Sequence, residues 1–197
     1  MKKQIIAGIA LSLLVLPTAA AMADTWSWEE WYEMENNIGL NVIPGVKYNL
    51  PLQQGTATTG GSFAFGAEIM YKPKFVMNNR LGLSIGAYFA PNSVASAGGN
   101  ISTLGIEIPI MGRYFFIKQG GFQPYIGAGL GINMITTSSP GSAGSSSTGL
   151  AAKLRLGTDL MFSQNIGANI NVDANADFGS GSVMFGVAPG VGLRILF

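Results

Sequence analysis

From Ile38 onward the chain alternates, and its charges obey the alternation. Eight runs place apolar residues at every second position: Ile38 to Tyr48, Ser62 to Lys72, Leu81 to Ala90, Ser102 to Phe116, Phe122 to Ile135, Leu150 to Phe162, Gly167 to Phe178, and a closing run from Val183. A period of two belongs to a strand, because successive side chains leave a pleated backbone on opposite faces. Lys47, Glu68, Lys72, Glu107, Arg113, Lys153, Arg155, Asp159, Asp173, Asp177 and Arg194 all occupy the parity opposite the apolar residues, together with Asn41, Asn169, Asn171 and many glycines. Runs that carry more than one charge keep those charges on a single parity, an agreement that random placement would give roughly one time in thirty.

That pattern fixes which face is which. An arginine or lysine facing lipid at mid-depth costs about 2–4 kcal/mol, so the charged parity belongs to an enclosed lumen and the apolar parity to acyl chains. A soluble barrel would reverse this and present water with a face sparse in charge and rich in glycine, a poor surface. Composition agrees: 48% of residues are hydrophobic, 11% are charged, and there are 28 glycines. Soluble domains carry nearer a quarter charged residues. The expected fold is therefore all-β, an eight-stranded antiparallel up-and-down transmembrane β-barrel over residues 37–197. The chain has no Cys, which excludes disulfides and thiolate metal sites, and no His, the commonest acid–base and metal residue. No cofactor is expected. A net charge of +1 argues against nucleic acid as a partner.

Residues 1–23 read as a secretory signal peptide: Lys2 and Lys3, an apolar run from Ile5 to Leu16, and Ala21-Met22-Ala23 as the cleavage site, with removal after Ala23. Residues 24–36 carry Asp24, Glu29, Glu30, Glu33 and Glu35 with Trp28, Trp31 and Tyr32. This acidic leader reads equally as a short helix at the periplasmic interface or as a segment tethered by its tryptophans.

Connectors alternate in length. Links 73–80, 117–121 and 163–166 are the shorter set, whereas 49–61, 91–101 and 136–149, rich in Ser, Gly and Thr, are the longer, with 179–182 the exception on that side. Short periplasmic turns and long, mobile outer loops are expected, with both termini in the periplasm. Aromatic residues gather at strand ends: Tyr71, Tyr114, Phe116, Phe162 and Phe197 at one rim, Tyr48, Phe63, Phe89, Phe178 and Phe185 towards the other. Such girdles mark membrane interfaces. Proline cannot donate to a ladder, so Pro44, Pro109 and Pro189 are expected to mark bulges or bends.

The segment Gly105-Ile106-Glu107-Ile108-Pro109-Ile110 leading to Arg113-Tyr114-Phe115, followed by Gln123-Pro124-Tyr125-Ile126-Gly127-Ala128-Gly129-Leu130-Gly131, resembles the paired central strands of the outer-membrane β-barrel domain family, whose members include OmpA-type, OmpX-type and opacity-type proteins. The closing run, ending Leu193, Ile195, Phe197, resembles the terminal strand of such barrels, which implies an assembly signal. The resemblance covers residues 38–197 and implies the cell outer membrane as location. The partners it implies are outer-membrane lipids, lipopolysaccharide, the barrel-assembly machinery, periplasmic chaperones, and a host or environmental ligand at the loops. With the sequence ending at Phe197, a barrel is expected without the peptidoglycan-binding domain of full OmpA proteins.

An eight-stranded barrel is just wide enough for side chains to fill it. Lys47, Glu68, Glu107, Arg113, Lys153, Arg155, Asp159, Asp173, Asp177 and Arg194 are expected to form a buried ion-pair network plugging a polar lumen, with Gly127, Gly129 and Gly131 making room for it. The alternative is a narrow pore for ions or very small solutes. No enzymatic constellation stands out: the glycine series sits mid-strand with no helix after it, and Asp173 and Asp177 lie about 13 Å apart along one strand. The His-dependent lipid A hydrolases among small barrels have no counterpart in a chain that lacks His.

Overall fold

In the computed structural model, eight strands close into one barrel in sequence order: β1 Leu40–Pro51, β2 Ser62–Tyr71, β3 Leu81–Ser96, β4 Gly99–Phe115, β5 Phe122–Ser138, β6 Ser145–Met161, β7 Ile166–Gly179 and β8 Ser182–Leu196. The structure describes residues 40–52, 61–73, 80–96, 99–117, 120–139, 141, 144–163, 165–179 and 182–196. The expected signal peptide and acidic leader, the first two residues of the first run, and Phe197 lie outside them.

Each neighbouring pair is antiparallel, and β1 pairs with β8 to close the wall. The register is constant within every pair. Followed once round, Val42 faces Ile69, then Ile85, Ile110, Leu130, Ala152, Ala176 and Phe185. The β8–β1 register (Leu50 with Val187) puts Phe185 level with position 52, so the walk returns to β1 ten residues beyond its start, 52 − 42. That stagger is what tilts the strands of a small closed barrel.

The three prolines do not make bulges. Register is unchanged across Pro44, Pro109 and Pro189, with no extra residue on either strand. Each instead turns its donorless nitrogen towards one neighbour and blanks the rungs there. Pairing with β8 skips Ile43 and Pro44, and later Tyr48 and Asn49 opposite Pro189; pairing of β3 with β4 skips Gly86 and Ala87 opposite Pro109. A missing N–H deletes a rung without inserting a residue, so the strand stays in step. Two of the three gaps lie in the closing β1–β8 seam.

The long outer loops are also shorter than the alternation implies. β3 runs on to Ser96 and β4 starts at Gly99, while β5 reaches Ser138 and β6 starts at Ser145. Serine and threonine there continue the ladder rather than forming loops. Ser102 pairs with Ser138 and Thr137 with Ser145. Both faces are polar above the rim, so the alternation ends before the strand does.

Sidedness is unambiguous. Arg155 is 1% exposed, Asp173 0% and Arg194 1%, while their neighbours Leu154, Val172 and Leu193 are 62%, 45% and 45% exposed. Burial of Leu154 or Leu156 therefore comes from lipid, and the interior belongs to the other parity. Aromatic contacts sit at both rims. Tyr48 packs on Phe63 with ring centroids 4.7 Å apart and planes tilted by 50° at the end far from the termini, and Tyr114 meets Phe116 edge-on at 5.7 Å at the terminal end.

Candidate functional site

Strand alternation delivers the lumen side chains at intervals of two residues, so β6 contributes Asp159, Arg155 and Lys153 at successive heights, and β7 Asn169, Asn171, Asp173, Asn175 and Asp177. They assemble in three tiers. Nearest the terminal end, Arg194 donates from Nη1 to Asp159 at 2.8 Å and to Gln123 at 3.1 Å, and from Nε to Asn41 at 2.7 Å. Asn169 donates to Asp159 and to the Tyr125 hydroxyl, the latter at 2.9 Å. Lys72 reaches Gln123 at 3.4 Å with its ammonium 4.5 Å above the Phe115 ring.

The middle tier centres on two carboxylates. Glu68 accepts from Arg113, from Arg155 Nη1 at 2.8 and 2.9 Å, from the Tyr88 hydroxyl at 2.9 Å and from Ser84 at 3.3 Å. Asp173 accepts from Arg155 Nη2 at 2.8 Å, from Arg155 Nε, and from Lys47 at 2.8 Å. Planar guanidinium groups suit this work because they offer several donors in a fixed fork. The chain Lys47–Asp173–Arg155–Glu68–Arg113 crosses the lumen and joins β1, β7, β6, β2 and β4, with Ser84 and Tyr88 adding β3.

The third tier lies towards the far end and is more open. Lys153 pairs with Glu107 at 2.8 Å and donates to Asn175 at 2.8 Å, and Asn133 donates to Asp177. Glu107 retains 16% exposure, and Asp177 is half-buried. Every predicted lumen charge thus points inward, and all but these last two are buried. Of the predicted closing-strand signal, Leu193 and Ile195 lie on the outer face.

The interior is less uniformly polar than the charges imply. Ile43, Met70, Phe115 and Tyr125 touch as an apolar collar towards the terminal end, with Met111 buried nearby at 1% exposure. Arg113 lies 5.2 Å above the Tyr125 ring and Lys47 4.0 Å above Tyr88, so aromatic faces carry cations that carboxylates do not fully enclose. In an eight-stranded barrel side chains are long enough to meet across the bore, and here buried apolar ones pack beside the ion pairs. Sequence parity already marks these residues: Ile43, Met70, Met111 and Phe115 share the charged parity of their strands, and Tyr88 and Tyr125, on strands without charge, lie on the parity opposite the apolar series.

The lumen glycines divide. A Cβ on Gly127 would meet the Gly112 carbonyl at 3.1 Å and the Arg113 and Arg155 stems at 3.5 Å, and one on Gly131 would meet Lys153 at 3.5 Å. A Cβ on Gly129 would instead strike the Ile110 carbonyl and meet the Met111 sulfur at 2.7 Å. Backbone proximity and methionine, not a charged chain, claim that space. Among the described residues no group of three His, Cys, Asp or Glu could hold a metal ion.

Comparison with known sequences settles the class. The outer membrane protein beta-barrel domain family matches residues 9–190, nearly the whole chain. The chain belongs to that family. Its members are barrels of the bacterial outer membrane, and this barrel lies there. No curated protein sequence matches the chain. Among solved structures, the fold is similar to neisserial surface protein A, with TM-score 0.62, 18% identity, and coverage of 81% of this chain and 97% of that one. It is also similar to the N-terminal barrel of Pseudomonas aeruginosa OprF, with TM-score 0.54, 18% identity and coverage of 81% and 100%. A third is Ail, the attachment invasion locus protein of Yersinia pestis, with TM-score 0.54, 15% identity and coverage of 80% and 99%. At such identities the likeness speaks for the fold alone, and an eight-stranded outer-membrane barrel is the fold they share.

Proposed function

We propose that this outer-membrane barrel is closed by its own side chains and serves as a structural element whose far end meets the exterior. The supporting observation is the cross-lumen chain from Lys47 to Arg113 through Asp173, Arg155 and Glu68, which occupies the middle of the bore with residues that are 0–2% exposed. An ion crossing would have to part guanidinium–carboxylate forks in a low-dielectric interior, and separating one such pair costs about 3–5 kcal/mol.

In this reading the terminal end faces the periplasm after removal of residues 1–23, and the β3–β6 extensions stand outside. Phe197 with Leu193 and Ile195 engages the assembly machinery and chaperones, and the outer face, led by Leu154, Leu156 and Leu130, contacts lipid and lipopolysaccharide acyl chains. Planar-bilayer recording of the purified, refolded protein tests the closed lumen. The expected trace shows no steady unitary steps at neutral pH and moderate salt. Regular single-channel steps, abolished by heat denaturation, would replace this reading with a narrow pore for ions or very small solutes.

A further inference from the structure

The tier nearest the far end holds an amine, an amide carbon and a carboxylate together. Lys153 on β6 and Asn175 on β7 are direct partners in the ladder. Met161 donates to Gly121 on the β5 side and Phe162 to Ile166 on the β7 side, so odd residues of β6 bond β5 and Lys153–Asn175 is a non-hydrogen-bonded pair. In such pairs the two side chains stand closest. Lys153 Nζ donates to Asn175 Oδ1 at 2.8 Å. The amide carbon is one C=O bond further on, about 1.2 Å. The lysine stem runs over Gly131, where a Cβ would meet its Cδ at 3.5 Å.

Glu107 comes to the same nitrogen from β4. Its Oε1 lies 2.8 Å from Lys153 Nζ and 3.9 Å from Lys47 Nζ, yet it accepts no aligned hydrogen bond from the protein among the described residues. A proton acceptor whose capacity is otherwise unused therefore stands at the ammonium. The Lys153 side chain is buried, so bulk water does not surround the amine. Lys47 also touches an acyl group, Asp173 Oδ2 at 2.8 Å. Arg155 grips that carboxylate from both Nε and Nη2, and an ionised carboxylate resists attack, whereas the Asn175 amide is neutral.

We propose that Lys153 and Asn175 condense, once the barrel has closed, into an intramolecular isopeptide bond, with Glu107 carrying the proton. Glu107 takes one proton from the ammonium, which removes two buried charges at once, a change that a low-dielectric interior favours relative to water. The freed lone pair attacks Asn175 Cγ. The Nζ–Cγ bond forms as the Cγ–Nδ2 bond breaks. Glu107 returns its proton to Nδ2 and a second Nζ proton follows, so the amide nitrogen leaves as ammonium. No oxidant or reductant enters, and the far mouth, towards which Glu107 keeps some exposure, is the way out. Lys153 and Asn175 are left joined by a neutral amide. Glu107 retains Lys47 nearby, so its charge is not left alone. The bond ties β6 to β7 near the far end of their ladder, where local opening would begin.

The test refolds the full chain from urea into lipid vesicles at neutral pH and measures its intact mass before and after. The unfolded stock is expected at its sequence mass and the folded barrel lighter by one ammonia. Trypsin, applied after denaturation, should then release a branched peptide joining residues 119–155 to residues 156–194, with no cut after Lys153. Lys153→Arg keeps the cation beside Glu107 and removes the nucleophile, and should stay at full mass. Glu107→Gln should condense at least about a hundred-fold more slowly, the scale of a lost general base. Folding of each variant is read from the mobility difference between boiled and unboiled samples. The parent chain decides the matter even where a variant does not fold: a folded barrel at full sequence mass overturns the proposal. Loss of one water in place of ammonia would put the bond at a carboxylate and overturn it. So would ammonia loss that persists in Lys153→Arg, which marks ring closure at an amide side chain, or a folded Glu107→Gln that condenses as fast as the parent. None of these outcomes bears on conductance, so the closed-lumen reading stands or falls separately.

Discussion

Glu68 carries more of the interior than any other single side chain, and replacing it with glutamine isolates what its charge does. The side chain keeps its volume, so no cavity term enters. What changes is the charge count of the middle tier, where Lys47, Arg113 and Arg155 face Glu68 and Asp173. Without Glu68 the three cations keep Asp173, and Lys47 has Glu107 at 3.9 Å besides. Arg155 keeps Asp173, but Arg113 loses its carboxylate at a position 0% exposed, and its Nε and Nη1 already meet no protein acceptor among the described residues. Leaving a buried charge alone costs about 3–5 kcal/mol, a large share of the 5–15 kcal/mol that typically holds a domain together. The Tyr88 hydroxyl also loses an ionised acceptor, which deepens the loss rather than offsetting it. Urea unfolding in lipid vesicles reads the effect by far-ultraviolet circular dichroism and by the mobility difference between boiled and unboiled samples. The three tryptophans, Trp26, Trp28 and Trp31, all precede the barrel and would report the wrong segment. Glu68→Gln should lower stability by about 3–5 kcal/mol, and adding Arg113→Met should recover much of it because the stranded cation is gone. A Glu68→Gln barrel within about 1 kcal/mol of the parent, or a double variant no better than the single, would refute the argument that the tier is held by paired charge.

Three further outcomes are expected. Leu156→Arg puts a cation on the lipid face mid-strand, where the leucine is 63% exposed, and should cost about 2–4 kcal/mol in the same urea assay. Gly129→Ala should cost about 1–3 kcal/mol because its Cβ runs into the Ile110 backbone carbonyl, whereas Gly131→Ala, with nothing nearer than 3.5 Å, should stay within about 0.5 kcal/mol; comparing their denaturation midpoints decides it. Hydrogen exchange should show the β1–β8 seam, interrupted opposite Pro44 and Pro189, opening before the uninterrupted β5–β6 ladder, with Val46 and Val191 less protected than Gly131 and Ala151.

Strand number, order and sidedness were legible because lipid and lumen impose opposite chemistry on alternate residues. Lys153, Arg155 and Asp159 against Leu154, Leu156 and Leu160 leave β6 one way to face. Inside the lumen the same parity marked the charged residues but not who pairs with whom. Arg155 meets Glu68, 87 residues away, only because the ten-residue stagger brings β2 and β6 level across the bore, and no local pattern encodes that stagger. The apolar collar was legible in principle. Met70 and Phe115 lie on the charged parity, but expectation of a polar interior drew attention to the ions beside them. The prolines were misread for a related reason. A missing donor suggests a bulge when one ladder is considered, whereas in a closed wall the other neighbour still holds the strand in step.

The outer extensions expose the limit of reading strands from alternation. Period two reports that the two faces of a strand meet different surroundings, and it reports nothing about the backbone itself. Below the rim Ile132 faces lipid and Gly131 faces the lumen, and the contrast is plain. Above it Thr136, Ser146 and Ser147 are exposed and Thr137 half-exposed, so the contrast between parities stops although Thr137 still pairs with Ser145 and Thr136 with Ser146. A hydroxyl-rich stretch then has the composition of a loop and the hydrogen bonding of a sheet. What separates the two is whether a neighbouring strand of matching length stands beside it. For β5 and the side of β6 that faces it one does, whereas on the other side of β6 the pairing among the described residues stops at Leu150.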